Sequence, residues 1–251
     1  MPFASRLTPD PPETERLPSD ALRAAYAALA PLDGLALLST ALKETTPGRL
    51  ATVSSFGAES AVLLDLVARV DPATPVIFLE TGMHFRETRA YRDLLIDRLG
   101  LRDVRIWEPD EADRRRVDPS NALWARNPDA CCDMRKVRPL DRALAGFDGW
   151  ISGRKRFHGA ARTTTPSVEI EPAPRGAARL KLNPLAGWSA SDLAAYFARY
   201  GLPRHPLWAA GYPSVGCAPC TAKPAAGDTD PRAGRWAGRD KTECGIHRRG
   251  A

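Results

Sequence analysis

Cys131 and Cys132 are adjacent, Cys217 and Cys220 form a CxxC, and Cys244 stands by itself in Glu-Cys-Gly-Ile-His near the end of the chain. A cytosolic redox environment keeps thiols reduced, so an odd set of five favours metal binding and catalysis over a disulfide framework. In a helix Cys131 shares a face with Arg135, and Cys132 with Lys136, which sets a cation beside each thiolate. Neighbouring cysteines crowd one small tetrahedral ion but can hold two corners of a larger cluster, and four thiolates match the ligands of a 4Fe-4S centre. Zinc on four thiolates and plain reduced, buried cysteines are the competing readings, and the adjacent pair favours the cluster. Cys244 is then left over, with Lys241 three residues before it, His247 three after and Arg248 four after. Positive surroundings lower a thiol pKa and supply a nucleophilic thiolate near neutral pH, against the bland alternative of an incidental terminal cysteine.

Anion-binding chemistry is concentrated in loops. Ser54-Ser55-Phe56-Gly57-Ala58-Glu59-Ser60 joins a strand to a helix, where free N–H groups, serine hydroxyls and the helix dipole favour an anion. It lacks the Gly-Lys-Ser/Thr ending of a Walker A loop and is no dinucleotide fingerprint. Leu79-Glu80-Thr81-Gly82-Met83-His84 ends the next strand. Gly153 to His158 follows a third and runs on to Arg162, while Arg232, Arg235 and Trp236 lie between the CxxC and Cys244. Arg114 to Arg116 reads as solvated surface charge.

These loops require a parallel sheet beneath them. Apolar runs predict strands at 50–53, 75–79, 104–107 and 150–152, and shorter ones at 167–171 and 180–182. Helical spacing covers 20–29, 32–43, 59–70, 86–99, 138–145 and 191–199. Strands alternating with helices imply right-handed crossovers in an α/β sheet, with ligands beyond the carboxyl ends of its strands. The domain reading is a proline-rich lead at 1–19, an α/β body at 20–220, and a mobile tail at 221–251 rich in Gly, Pro and charge.

The 251 residues with 43% apolar content suit one large domain. No secretory or membrane-length apolar run occurs, so a soluble, cytoplasmic protein without membrane contact is expected. The net charge of +6 is mostly arginine, suited to phosphate and sulfate oxygens. No nucleic-acid motif is present, so a small anionic substrate is expected rather than RNA or DNA.

Together these residues resemble the iron–sulfur branch of the phosphoadenylyl-sulfate reductase family, the assimilatory adenylyl-sulfate reductases. The shared pattern is a modified pyrophosphate loop, CC followed by RK, a distant CxxC and a terminal ECG(L/I)H, and it spans about residues 50–247. Phe56 and Glu59 depart from the SGGxDS form of the wider adenine-nucleotide α-hydrolase-like superfamily, which favours another adenylated anion over ATP cleavage. The resemblance implies a Rossmann-like parallel sheet of that superfamily, with a flexible C-terminal tail. It implies thioredoxin-dependent, or glutaredoxin-dependent, reduction of adenosine 5′-phosphosulfate to sulfite and AMP for cysteine biosynthesis, through an S-sulfocysteine on Cys244. One 4Fe-4S cluster would sit on Cys131, Cys132, Cys217 and Cys220. Ser54, Ser55, Gly57 and Ser60 would contact the phosphosulfate, and Leu79 and Thr81 would border the adenosine. Lys136 would lie between cluster and sulfate, Arg162, Arg232 and Arg235 would neutralise substrate oxygens, and His247 would assist the nucleophile. By analogy with its relatives, the resemblance also implies a homo-oligomer. The alternatives are reduction of 3′-phosphoadenylyl sulfate and an ATP-using sulfur transfer on the same fold.

Overall fold

Alternate residues of the central strands face opposite sides, and each side meets its own apolar layer. Leu50, Val76, Phe78 and Ile151 join one layer, whereas Ala51, Ile77, Leu79 and Trp150 join the other. With both faces covered, every residue of β2 (Val76–Leu79) and β4 (Gly149–Ile151) is buried, as are three of the four in β1 (Leu50–Val53). The computed structural model describes residues 19–46, 49–159, 162–174 and 178–247. With β3 (Val104–Trp107), β5 (Val168–Pro172) and β6 (Ala178–Leu182), the strands form one sheet in the order β3-β2-β1-β4-β6-β5. All pairs are parallel except β5 with β6.

The chain leaves β1 towards β2 and β3 and returns to β4 on the other side of β1. Strand order therefore reverses between β1 and β4, and the loops after these strands diverge to leave a crevice. Helices α1 (Ser19–Leu29), α2 (Gly34–Ser39), α3 (Ser60–Val70), α4 (Arg86–Leu99) and α9 (Ala190–Tyr200) contribute to the first layer through Leu29, Leu37, Leu64, Leu95 and Phe197. Helix α8 (Arg138–Ala143) supplies Leu140 and Ala143 to the second, joined by Leu144 and Phe147. A capping box of Ser189 and Asp192 starts α9, and left-handed Gly100 and Gly201 end α4 and α9.

The expected helix at 32–43 breaks: α2 passes into a π-helical turn at Thr40–Thr45. A second π turn, Asp133–Val137, joins α7 (Pro128–Cys132) to α8, and the N–H of Arg138 bonds to the carbonyl of Asp133, five residues back. Pro139 accounts for it, since a proline has no N–H for the carbonyl four residues earlier and its ring crowds that carbonyl. Three short helices escape the apolar pattern: α5 (Glu111–Val117), α6 (Leu123–Arg126) and α10 (Pro206–Ala209). Each has at most two turns, too few for periodicity, and α5 is announced only by its Asp110 cap.

The described part of the tail, 221–247, is seated on the crevice, with Trp236, Lys241, Glu243 and Cys244 all buried. Lys241 pairs with Asp129, and Thr221 bridges to Arg235. Most of the proline-rich lead and the pair Arg248 and Arg249 lie outside the described residues. Among the described residues no helix is long and apolar enough to cross a membrane.

Candidate active site

The crevice at the strand-order reversal, with its open mouth, encloses about 1180 Å³ of empty space. Ser54, Ser55, Gly57 and Ser60 line it from the β1 loop, Leu79 from the end of β2, and Arg162, Arg232, Arg235, Cys244 and His247 from later segments. Lys136 lines it from the π turn. The four remaining cysteines line a second, smaller cavity, and Lys136, Arg235 and Trp236 belong to both walls. Thr81 is absent from the crevice lining: it is fully buried, with Oγ1 3.4 Å from Cys217 Sγ.

Backbone constraints shape the β1 loop. Phe56 takes a left-handed φ of 47°, paid for by complete burial of its ring edge-on to Phe78. A Cβ on Gly57 would come 3.0 Å from the Val215 carbonyl, so glycine lets the 213–216 segment close over the loop. At Gly216 a Cβ would stand 2.1 Å from the Arg235 guanidinium, which occupies the space glycine leaves.

Charge runs through the crevice as a connected chain. Glu59 accepts from Lys155 at 2.8 Å and from His158 Nε2 at 3.0 Å. Burial alone raises a carboxyl pKa, but Lys155 and His158 outweigh it and hold Glu59 at about 2. His158 Nδ1 accepts from Arg162 at 3.2 Å, and Arg162 clasps Glu243 with two bonds of 2.5 and 2.8 Å. Glu243 also meets Arg232 at 3.4 Å and accepts from the Cys244 N–H at 2.9 Å. Desolvation beside Arg162 drops the Arg232 pKa to about 10. The depressed Glu59 pKa has a measurable consequence. Its contribution to stability is complete above the unfolded carboxylate value of about 4.3 and fades as pH falls towards 2. Glu59→Gln is expected to lower the melting temperature at pH 7 and to narrow the wild-type difference between pH 7 and pH 3; an equal difference in both proteins refutes the assignment.

Cys244 is 8% exposed and packs with Cys132 and Trp236. A hydrogen bond from Cys132 and the ammonium of Lys136 hold its pKa well below the usual thiol value, although burial opposes them. Burial also works against the charge on Lys136, yet Cys217, Cys244 and Cys132 outweigh it and raise its pKa. His247 is half-buried, desolvation holds its imidazole pKa well below the usual value, and its ring is stacked on Trp150.

Around the smaller cavity, burial pushes the Cys131 thiol up to about 11 and raises Cys220, while the contact with Cys244 raises Cys132. Among the described residues no three His, Cys, Asp or Glu side chains gather closely enough to hold a metal ion. Two of the residues that line this cavity with the four cysteines nonetheless carry buried donors without partners, Arg135 Nε and Trp236 Nε1. Orphaned N–H groups and half-compensated cations suit an anionic, sulfur-rich group larger than one ion. Arg135 is otherwise fixed by Asp118, Asn121 and the Thr81 carbonyl.

Several of these residues carry no sequence signal of their own. Glu243 is visible only as a motif neighbour of Cys244, Trp150 reads as strand core, and the Asp118 partner of Arg135 is remote in sequence. Glu59 registers only as a departure from a loop pattern.

A model of the phosphoadenosine phosphosulfate reductase domain matches residues 49–223. The chain is 47% identical over 226 residues to an adenosine 5′-phosphosulfate reductase of Mesorhizobium japonicum, covering 90% of this chain and 85% of that one. It is 43% identical over 187 residues to the protein of the same name from Mycobacterium tuberculosis, covering 74% and 72%. Among solved structures, phosphoadenylyl-sulfate reductase from Candida auris, in a phosphate complex, superposes with a TM-score of 0.65 at 23% identity, over 83% of this chain and all of that one. FMN adenylyltransferase from Candida glabrata follows at 0.55 and 13%, over 84% and 70%. These two likenesses concern the fold.

Proposed function

The chain belongs to the phosphoadenosine phosphosulfate reductase domain family, and from that premise we propose that it reduces adenosine 5′-phosphosulfate to sulfite and AMP in sulfate assimilation, with Cys244 as nucleophile and a thioredoxin-type dithiol as reductant. The observation that carries this reading is the meeting of the Cys244 thiol with Lys136 in a crevice walled by the β1 loop and four arginines, Arg154, Arg162, Arg232 and Arg235. The bacterial relatives are named for the substrate without a 3′-phosphate, which favours it here.

Cys244 thiolate attacks the sulfuryl sulfur, the bond from that sulfur to the bridging oxygen breaks, and AMP leaves with the electron pair. Cys244 then carries S-sulfonate. A thiolate of the reductant attacks Cys244 Sγ, sulfite departs, and the second thiol of the reductant resolves the mixed disulfide. Two thiols become one disulfide for each sulfite released. Bringing a thiolate to an anionic sulfate is the physical difficulty, and Lys136, Arg232 and Arg235 are fixed positive charges in a partly dry site that answer it. The β1 loop N–H groups and hydroxyls would receive the phosphate.

A 4Fe-4S cluster would be held by Cys131, Cys132, Cys217 and Cys220, where it would supply a compact anionic centre behind the crevice. A Cys132 thiolate engaged as ligand has no proton for Cys244. Support for the nucleophile then falls to Lys136 and to the Ile246 N–H. At 8% exposure Cys244 is out of reach of a protein reductant, so the second step requires the tail to leave the crevice.

The test is sulfite release from adenosine 5′-phosphosulfate and from its 3′-phosphorylated form, with reduced thioredoxin and anaerobically purified protein. Preference for the unphosphorylated nucleotide is expected, together with about four irons and four acid-labile sulfides per chain. Preference for the 3′-phosphorylated form reverses the substrate assignment, and zinc in place of iron removes the cluster.

A further inference from the structure

Three residues beyond Cys244, the imidazole of His247 lies flat on the indole of Trp150, with ring centres 5.7 Å apart and planes 12° from parallel. Trp150 is fully buried in β4, next to the point where strand order reverses. Its ring is held in one orientation. Nε1–H donates to Glu171 Oε1 at 2.8 Å, and the same oxygen accepts from Arg179 Nε at 2.8 Å. The Lys181 ammonium stands 3.4 Å from Glu171 Oε2 and 5.1 Å from the centre of the indole. Burying these charges under the sheet costs desolvation that their pairing only offsets, so the arrangement is better explained by what it orients than by stability. What it orients is one aromatic face, turned to the crevice. On the other side of Cys244, Glu243 is already clasped by Arg162. The thiol is thus bracketed, one residue after an ion pair and three before a stack.

We infer that Trp150 is a positioning residue: its indole, oriented by Glu171 and backed by Lys181, is the platform on which His247 stacks to seat the C-terminal segment and fix where Cys244 meets its substrate. The catalytic half of this statement rests on the reductase reading above. The seating half does not, because it is measured without turnover. An aromatic stack favours the seated state by about 2- to 12-fold.

Full-length, metal-loaded protein is alkylated with iodoacetamide, and modification of Cys244 is followed by peptide mass spectrometry. Trp150→Leu is expected to speed that modification about 2- to 12-fold and to lower kcat, with AMP affinity unchanged. Trp150→Phe keeps a flat face and is expected to recover most of both. An unchanged Cys244 rate in the leucine variant overturns the proposal, as does equal loss in both variants with equal loss of AMP affinity, which is the mark of simple core packing. If the leucine variant does not fold, His247→Phe and His247→Ala decide from the other partner: Phe must keep Cys244 protected where Ala exposes it, and equal rates overturn the stack. Absence of sulfite formation by the wild type counts against the reductase reading alone.

Discussion

Cys244→Ser is expected to eliminate sulfite formation, by at least about 10³-fold, because a serine hydroxyl is almost wholly protonated at neutral pH and is a far weaker nucleophile than the thiolate it replaces. AMP affinity and iron content should stay at wild-type values, since Cys244 lines the crevice and is not among the four cysteines that line the smaller cavity. Mass spectrometry of wild-type protein mixed with substrate and no reductant should find the added sulfuryl mass on the peptide containing Cys244. Sulfite production by the serine variant, or the label on a different residue, would remove Cys244 from the chemistry.

The second large effect belongs to Lys136. Its ammonium lines both cavities and is the side-chain cation that acts on Cys244 most directly. Lys136→Met keeps the apolar stem and deletes the charge, and is expected to lower kcat/KM by about 10²- to 10³-fold, the cost of losing one preorganised electrostatic partner. Alkylation of Cys244 at neutral pH should slow in the same variant, since the thiolate loses the cation that lowers its pKa. Lys136→Arg restores charge with a different shape and should recover only part. A fall in kcat/KM of less than about threefold in Lys136→Met would show that the arginines carry the charge compensation unaided.

The sheet was legible because its strands are short apolar runs between turn residues, and burial on both faces makes such runs nearly continuous, as in Val76–Leu79. The cysteine grouping was legible for another reason: thiols with ligand spacing are rare enough to stand out one by one. Where sequence reading falls short, the missing information is spatial. Glu243 and Arg162 are far apart in the chain and become a pair only when the tail lies on the crevice. Trp150 is indistinguishable from a core tryptophan until a histidine is found against its face. The π turns are also invisible to a search for a 3.6-residue period, because they interrupt that period for a single turn.

The π turn before Pro139 acts as a phase shift in an otherwise continuous rod. With unbroken α-helical spacing, Cys132, Lys136 and Leu140 would fall on one stripe, and the stripe that carries Leu140 is committed to the greasy underside of the sheet. One surplus residue in the winding separates the two duties: Leu140 keeps its apolar neighbours while Lys136 lines the two cavities beside the sulfur atoms. The reach of a lysine is thereby governed by an imino acid three positions downstream that touches neither cavity.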